Sequence, residues 1–147
     1  METLPFEIAE TAHSLRRAFD RRAAGLGATR AQWKVLFRLT HTPGLRQVDL
    51  AEILDIEPIS LCRIVDRLQE AGLVERTRDP DDRRAWRLHV TAKAEPLVER
   101  LKAVASELFD EAFAGIGPDE IEKMSEMLAR VRENVGRAGS SDRAVNQ

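Results

Sequence analysis

Apolar positions along the chain fall mostly at helical spacing and, for one short stretch, at extended spacing. Leu4, Ile8, Ala12, Leu15 and Phe19 recur every three or four residues and predict a helix over 4–24. Gly25, Leu26 and Gly27 break it. Thr29 then stands where an N-cap would, with Gln32 three residues on. That is the capping-box pattern, and it starts a second helix reaching about Thr40, with Trp33, Leu36, Phe37 and Leu39 inward. His41-Thr42-Pro43-Gly44 has the composition of a turn. A short third helix over 45–54 would bury Val48, Leu50, Ala51 and Leu54. Arg46, not a hydroxyl residue, occupies the place of its cap.

Asp55-Ile56-Glu57 turns the chain into a fourth helix that Pro58 opens, where its missing N–H costs nothing. Leu61, Ile64, Val65 and Leu68 give this helix an apolar face. Ile59, Ser60, Arg63, Asp66, Arg67 and Glu70 lie opposite, and Gly72 ends it. Two extended runs follow, 73–78 and 85–90. The segment between them, Asp79-Pro80-Asp81-Asp82-Arg83-Arg84, is too polar for a core and rich in turn formers. Thr91 is placed to cap a long fifth helix, and Pro96 within its first turns implies either an irregular first turn or a regular helix that starts near Glu95. Leu97, Leu101, Val104 and Leu108 continue it at 4-3-4 spacing. After the break at Gly115-Ile116-Gly117-Pro118, Asp119 and Glu120 suit the positive end of a sixth helix. Ile121, Met124, Leu128, Val131 and Val135 run along that helix as a heptad-like seam. The small polar residues of 139–147 read as a flexible tail.

A short helix, a tight turn, a second helix and a charged hairpin make a winged helix-turn-helix. The run VDRLQEAGLVERTRDPDDRRAWRLHVT also resembles the signature of the MarR (multiple antibiotic resistance regulator) family of bacterial transcription factors. The likeness spans roughly residues 5–138 and is most specific in the D-x-R pattern at Asp82 and Arg84. The helix beginning IEPISL is most similar to the SlyA-like branch. The resemblance implies a mainly α fold with a small β-hairpin wing: a DNA-binding lobe over 29–91 flanked by dimerisation helices over 4–28 and 92–138, all in one domain. The terminal regions carry more apolar stripe than the central lobe can cover. Packing against a second chain would bury it, and an intrachain bundle is the alternative. A two-fold dimer also duplicates the reading helix, as a palindrome requires.

Composition narrows the class. The chain has 147 residues, enough for one domain, and no apolar run near 18 residues that could cross a membrane. Its N-terminus lacks a basic segment followed by an apolar block, so no signal peptide is expected. One cysteine, Cys62, excludes an intrachain disulfide and suits a reducing cytoplasm. The net charge of -2 hides a segregation. Residues 14–34 hold six basic residues against one acid, and residues 107–126 hold seven acids against one lysine. Such asymmetry is compatible with nucleic acid, and solvated helix faces would give it too. Across 57–91 seven arginines meet seven acids, so bulk positive charge is not available as a mechanism there.

The candidate DNA-binding residues are therefore few and individually placed. Ser60 can donate or accept at a base edge or phosphate. Arg63, one turn further, has the fork that matches guanine O6 and N7; pairing with Asp66 or Glu70 is its bland alternative. Ile59 would meet a thymine methyl or pack on the preceding helix, and Arg67 would reach phosphate or Asp66. At the hairpin tip, Arg83 and Arg84 can enter a minor groove narrowed at A·T-rich sequence. The resemblance implies that Arg84 is the groove arginine, that Asp82 orients it, and that Arg83 lies beside it. Asp66 is a second candidate to anchor a wing arginine. Arg78 and Arg87 are weaker phosphate candidates or plain strand residues.

Enzymatic signals are poor. His13, His41 and His89 form no metal spacing with Cys62, and the nucleotide-loop, nucleophile-elbow and zinc-protease motifs are missing. No enzyme, cofactor or metal is expected. The family resemblance implies a small aromatic-acid effector, with His13, Arg17, Trp33 and Phe37 as candidate ligand-binding residues; core and surface roles are the alternative. Cys62 reads as a packing residue more readily than as a redox sensor. The function expected is a cytoplasmic, homodimeric, ligand-responsive repressor on palindromic operators. A winged-helix protein-interaction module without specific DNA binding is the competing reading.

Overall fold

A computed structural model describes the backbone of residues 3–145 and the side chains through Arg137. It divides into two compact units, Met1–Leu108 and Phe109–Gln147.

The first unit begins with α1 (Leu4–Ala23), which a short 3-10 turn and Gly27, at φ 80°, bring to a stop. Next comes α2 (Arg30–His41), started by the expected capping box: the Thr29 hydroxyl accepts from the Gln32 N–H while the Gln32 side chain accepts from the Thr29 N–H. Then come α3 (Gln47–Ile53) and α4 (Pro58–Glu70). Between them Asp55 takes φ 51°, the left-handed region, which Asp tolerates better than a branched residue. Gly72, at φ 76°, ends α4.

Strands β1 (Val74–Arg78) and β2 (Trp86–Val90) pair antiparallel, with Val74 opposite Val90 and Arg78 opposite Trp86. The hairpin root gains a third edge from the segment before α3. Leu88 N–H donates to Leu45 C=O at 2.9 Å, Gly44 N–H donates to Leu88 C=O at 3.0 Å, and Arg46 bridges Arg87. α5 (Glu95–Ala112) follows a 3-10 turn, so regular helix starts at Glu95, one of the two outcomes that Pro96 allows. Thr91 does not cap it: its hydroxyl donates to Gly72 C=O and ties the end of β2 to the end of α4.

One apolar core holds this unit together. Leu36 and Leu39 of α2, Leu50 of α3, Leu61 and Leu68 of α4, and Leu88 of β2 are fully buried. Each such side chain contributes about 1.5–3 kcal/mol on leaving water. Phe19, Val35, Val65, Val74, Val98, Leu101 and Leu108 belong to the same cluster, with alanines between them. Two expectations fail here. Val48 is 63% exposed, because a seven-residue helix has little periodicity from which to fix its inner face. Asp79, placed in a tip too polar for a core, is 2% exposed.

The second unit contains the end of α5, the turn at Gly115 (φ 85°) and α6 (Pro118–Val145). Glu120 accepts from the Gly117 N–H at 2.8 Å and satisfies a free donor at the start of α6. Met124, Met127, Val131 and Val135 along α6 are exposed. The α6 backbone is helical to Val145, past residue 139 where a tail was expected, and its side chains beyond Arg137 lie outside the described residues.

Candidate DNA interface

The two faces of α4 have different jobs. Leu61, Val65 and Leu68 are spent on the core, which fixes the helix rotation. The rotation turns Ile59, Ser60, Arg63 and Arg67 outward, all exposed. Ile59 is 65% exposed, so it is not packed on the preceding helix. Ser60 and Arg63 sit a turn apart on the same side.

The hairpin tip is ordered by its own carboxylates. Asp79 Oδ1 accepts from the N–H groups of Asp81 at 2.8 Å and Asp82 at 3.1 Å. Asp82 Oδ1 accepts from the N–H of Arg84 at 3.0 Å. The acids therefore fold the loop that carries the exposed side chains of Arg83 and Arg84, which answers how an acidic loop can present arginines. Arg78 donates to Arg83 C=O at 2.8 Å and lies over the Trp86 ring, 4.9 Å from its centroid. It supports the tip from within the hairpin.

Asp79 is also the joint between the wing and the helix-turn-helix. Its Oδ2 accepts from Arg46 Nε at 2.8 Å and from Arg87 Nε at 2.7 Å. Arg87 reaches on to Gly44 C=O at 2.9 Å. The Asp81 N–H does most to hold the Asp79 carboxyl down; burial opposes it, and Arg46 and the Asp82 N–H add to it, leaving a pKa of about 2. Arg46 is raised in return, chiefly by its hydrogen bond to Asp79. Arg87 is thus a structural ligand of Asp79, with its Nε and one Nη committed.

A second joint lies one residue along. Arg76 Nε donates to Gln47 Oε1 at 3.1 Å and Nη1 to Gln69 Oε1 at 2.6 Å. Its Nη2 meets Cys62 C=O at 3.3 Å and Asp66 Oδ1 at 2.7 Å. Asp66, expected as an anchor for a wing-tip arginine, instead pairs with this arginine in the middle of β1. The joints through Asp79 and Arg76 were missed in the sequence. The available signals were the period-two alternation that puts Arg76 on the inward face with Val74, and an arginine where α3 wanted a hydroxyl cap.

The candidate ligand residues divide. Trp33 and Phe37 cluster with Phe19, with ring centroids 4.6 Å (Phe19–Trp33) and 5.7 Å (Trp33–Phe37) apart. Trp33 Nε1 donates to Asp20 at 3.0 Å. Burial opposes the charge on Asp20, but hydrogen bonds from Arg30 and Trp33 and the nearby cations outweigh it and lower its pKa. Trp33 and Phe37 line a cavity of about 310 Å³ with Lys34, Arg38, His41 and Leu54. His13 and Arg17 are exposed on α1 and do not line it. Cys62 is half-buried beside Arg76. Among the described residues no cluster of metal-ligating side chains occurs, and no helix is long and apolar enough to cross a membrane.

A core-fixed helix-turn-helix with a hairpin clamped beside it defines a winged helix-turn-helix protein of the DNA-binding regulator class. Comparison with known proteins gives the family. The MarR family model matches residues 28–86. The structure of the transcriptional regulator PA3341 is 31% identical, aligns over 90% of this chain and 98% of its own, and superposes with a TM-score of 0.82. A structure of MarR is 28% identical, with 94% of each chain covered and a TM-score of 0.80. A mutant MarR from E. coli, complexed with operator DNA, is 26% identical over 88% of this chain and 95% of its own, with a TM-score of 0.73. The chain belongs to the MarR family, whose members are transcriptional regulators.

Proposed function

We propose that the chain is a sequence-specific repressor that binds palindromic operators in double-stranded DNA as a homodimer and lets go when a small aromatic acid binds. The observation that carries this reading is the division of α4: one face is consumed by the core, and the other shows Ile59, Ser60, Arg63 and Arg67 beside a wing tip bearing Arg83 and Arg84. Arg63 forks onto a guanine, Ile59 meets a thymine methyl, and Arg67 takes phosphate. Arg84 enters the minor groove with its backbone held by Asp82, and Arg83 stays on the phosphate side. The operator complex of a family relative supports the same use of this fold. Assignment to the SlyA-like branch is part of the proposal and rests on the IEPISL start of α4.

The exposed apolar seam of α6 supports the dimer, since a row of Met and Val at heptad spacing needs a partner surface. For the effector, Trp33 and Phe37 offer a wall to an aromatic ring, and Lys34 and Arg38 bring cations to the same cavity. A ligand that prefers the non-binding spacing of the two reading helices a hundredfold supplies about 2.7 kcal/mol of release.

The test is selection of bound fragments from the source genome, followed by anisotropy titration at two salt concentrations. A palindrome with half-sites about one helical turn apart is the expected result. Weak, sequence-indifferent binding that disappears at moderate salt would instead favour a protein-interaction module.

A further inference from the structure

Arg76 and Asp66 carry an inference about how the reading helix tolerates its own acids. On a helix Asp66 lies about 60° to one side of Arg63 and Arg67 about 40° to the other, so this carboxylate borders the arginines proposed to address DNA. Its side chain is 52% exposed, and an ionised acid there would face phosphate. The side chain of Arg76, by contrast, is 12% exposed and enters from the middle of β1.

The guanidinium is held on three sides, by Gln47 of α3 and by Cys62 and Gln69 of α4. Its remaining direction meets Asp66 Oδ1 at 2.7 Å. Three fixed contacts leave the arginine little freedom to swing out toward DNA, so its charge is delivered to Asp66.

We infer that Arg76 is a positioning residue of the DNA interface: it masks the negative charge of Asp66 on the reading helix, so that Arg63 and Arg67 act on DNA without an opposing carboxylate at their flank. The inference rests on the reading of α4 as the DNA-facing helix. It separates Arg76 from the exposed arginines, because Arg76 acts through another residue and touches no DNA.

A double-mutant cycle tests it, with the full chain and a duplex selected from a random library by the wild-type protein. Arg76→Gln should weaken binding on the order of tenfold, since like charges brought together at an interface oppose association. Asp66→Asn alone should leave affinity within about twofold, because the acid it removes is already masked. In the Arg76→Gln background the same Asp66→Asn change should restore most of the loss. An additive cycle, with the double variant as weak as Arg76→Gln, would overturn the inference and leave Arg76 a scaffold residue. Arg76→Lys, which keeps the charge, should retain most of the affinity; Arg76→Met, which keeps an apolar stem and removes the charge, carries the same cycle if Arg76→Gln fails to fold. A wild-type chain that selects no sequence sinks the reading of α4 itself; a wild type that binds, with an additive cycle, sinks only the masking.

Discussion

The Nε–H of Arg46 donates to Oδ2 of Asp79 at 2.8 Å, joining residues 33 positions apart. Arg46 stands at the start of α3 and Asp79 at the base of the wing tip, so this contact sets where the hairpin projects from the helix-turn-helix. The carboxylate that receives it is buried and also accepts from Arg87 and two backbone N–H groups. Removing it would leave guanidinium groups facing no charge, which is worse than never having had the pair.

Asp79→Asn should therefore lower both thermal stability and DNA affinity at neutral pH. The amide keeps the shape but has only one oxygen for donors that occupy two, and its NH2 faces a guanidinium or an N–H instead. The pH dependence has a definite sign. The folded pKa of Asp79, about 2, lies below the ordinary 3.8, so its contribution is fully present above about pH 4 and is lost as pH falls through 2. Melting curves of wild type and variant, recorded from pH 7 downward, should converge toward pH 2. A constant gap across that range would contradict the assignment.

Arg84→Ala and Arg63→Ala should fail in different ways. Loss of the wing arginine should weaken operator binding about tenfold or more, since minor-groove arginines add affinity wherever the groove is narrow. Loss of Arg63 should reduce discrimination between operator and scrambled duplex by about 1–3 kcal/mol. Anisotropy titrations on both duplexes measure the two effects. An equal loss on both sequences for Arg63→Ala would make it a phosphate contact.

The turn between α3 and α4 gives a prediction about stability alone. Asp55 holds φ at 51° while its side chain is exposed, so side-chain shape there acts mainly through the backbone. Asp55→Val should destabilise by about 1–2 kcal/mol, and Asp55→Asn should be close to neutral. Denaturant melts read both directly.

On α6, Met124→Glu and Val131→Glu place charge on the exposed seam. Sedimentation velocity should show these variants shifting from dimer to monomer while circular dichroism retains the helical signal. Unchanged sedimentation would assign the dimer contact elsewhere.

Much of the architecture is local and so was legible from residues. Glycine stops at Gly27, Gly72 and Gly115 do take positive φ, and the Thr29–Gln32 box does start α2. The rotation of α4 followed from Leu61, Val65 and Leu68, and so did the exposure of Ser60 and Arg63. Their roles on DNA remain part of the proposal. The inward face of α3 was misread at Val48, because two turns give too short a periodic signal.

What the sequence by itself determined is the set of elements and the outward face of the reading helix, because both depend on backbone preferences and apolar spacing within a few residues. Only the tertiary structure decided what clamps the wing. Asp79 meets Arg46 across 33 positions, and Arg76 meets Gln47 across 29. Charged residues are common everywhere on a chain with 33% of them, so composition offers no sign of which acid becomes buried. A carboxylate goes into the interior only where converging donors replace the water it loses, and that convergence exists only after the chain has folded.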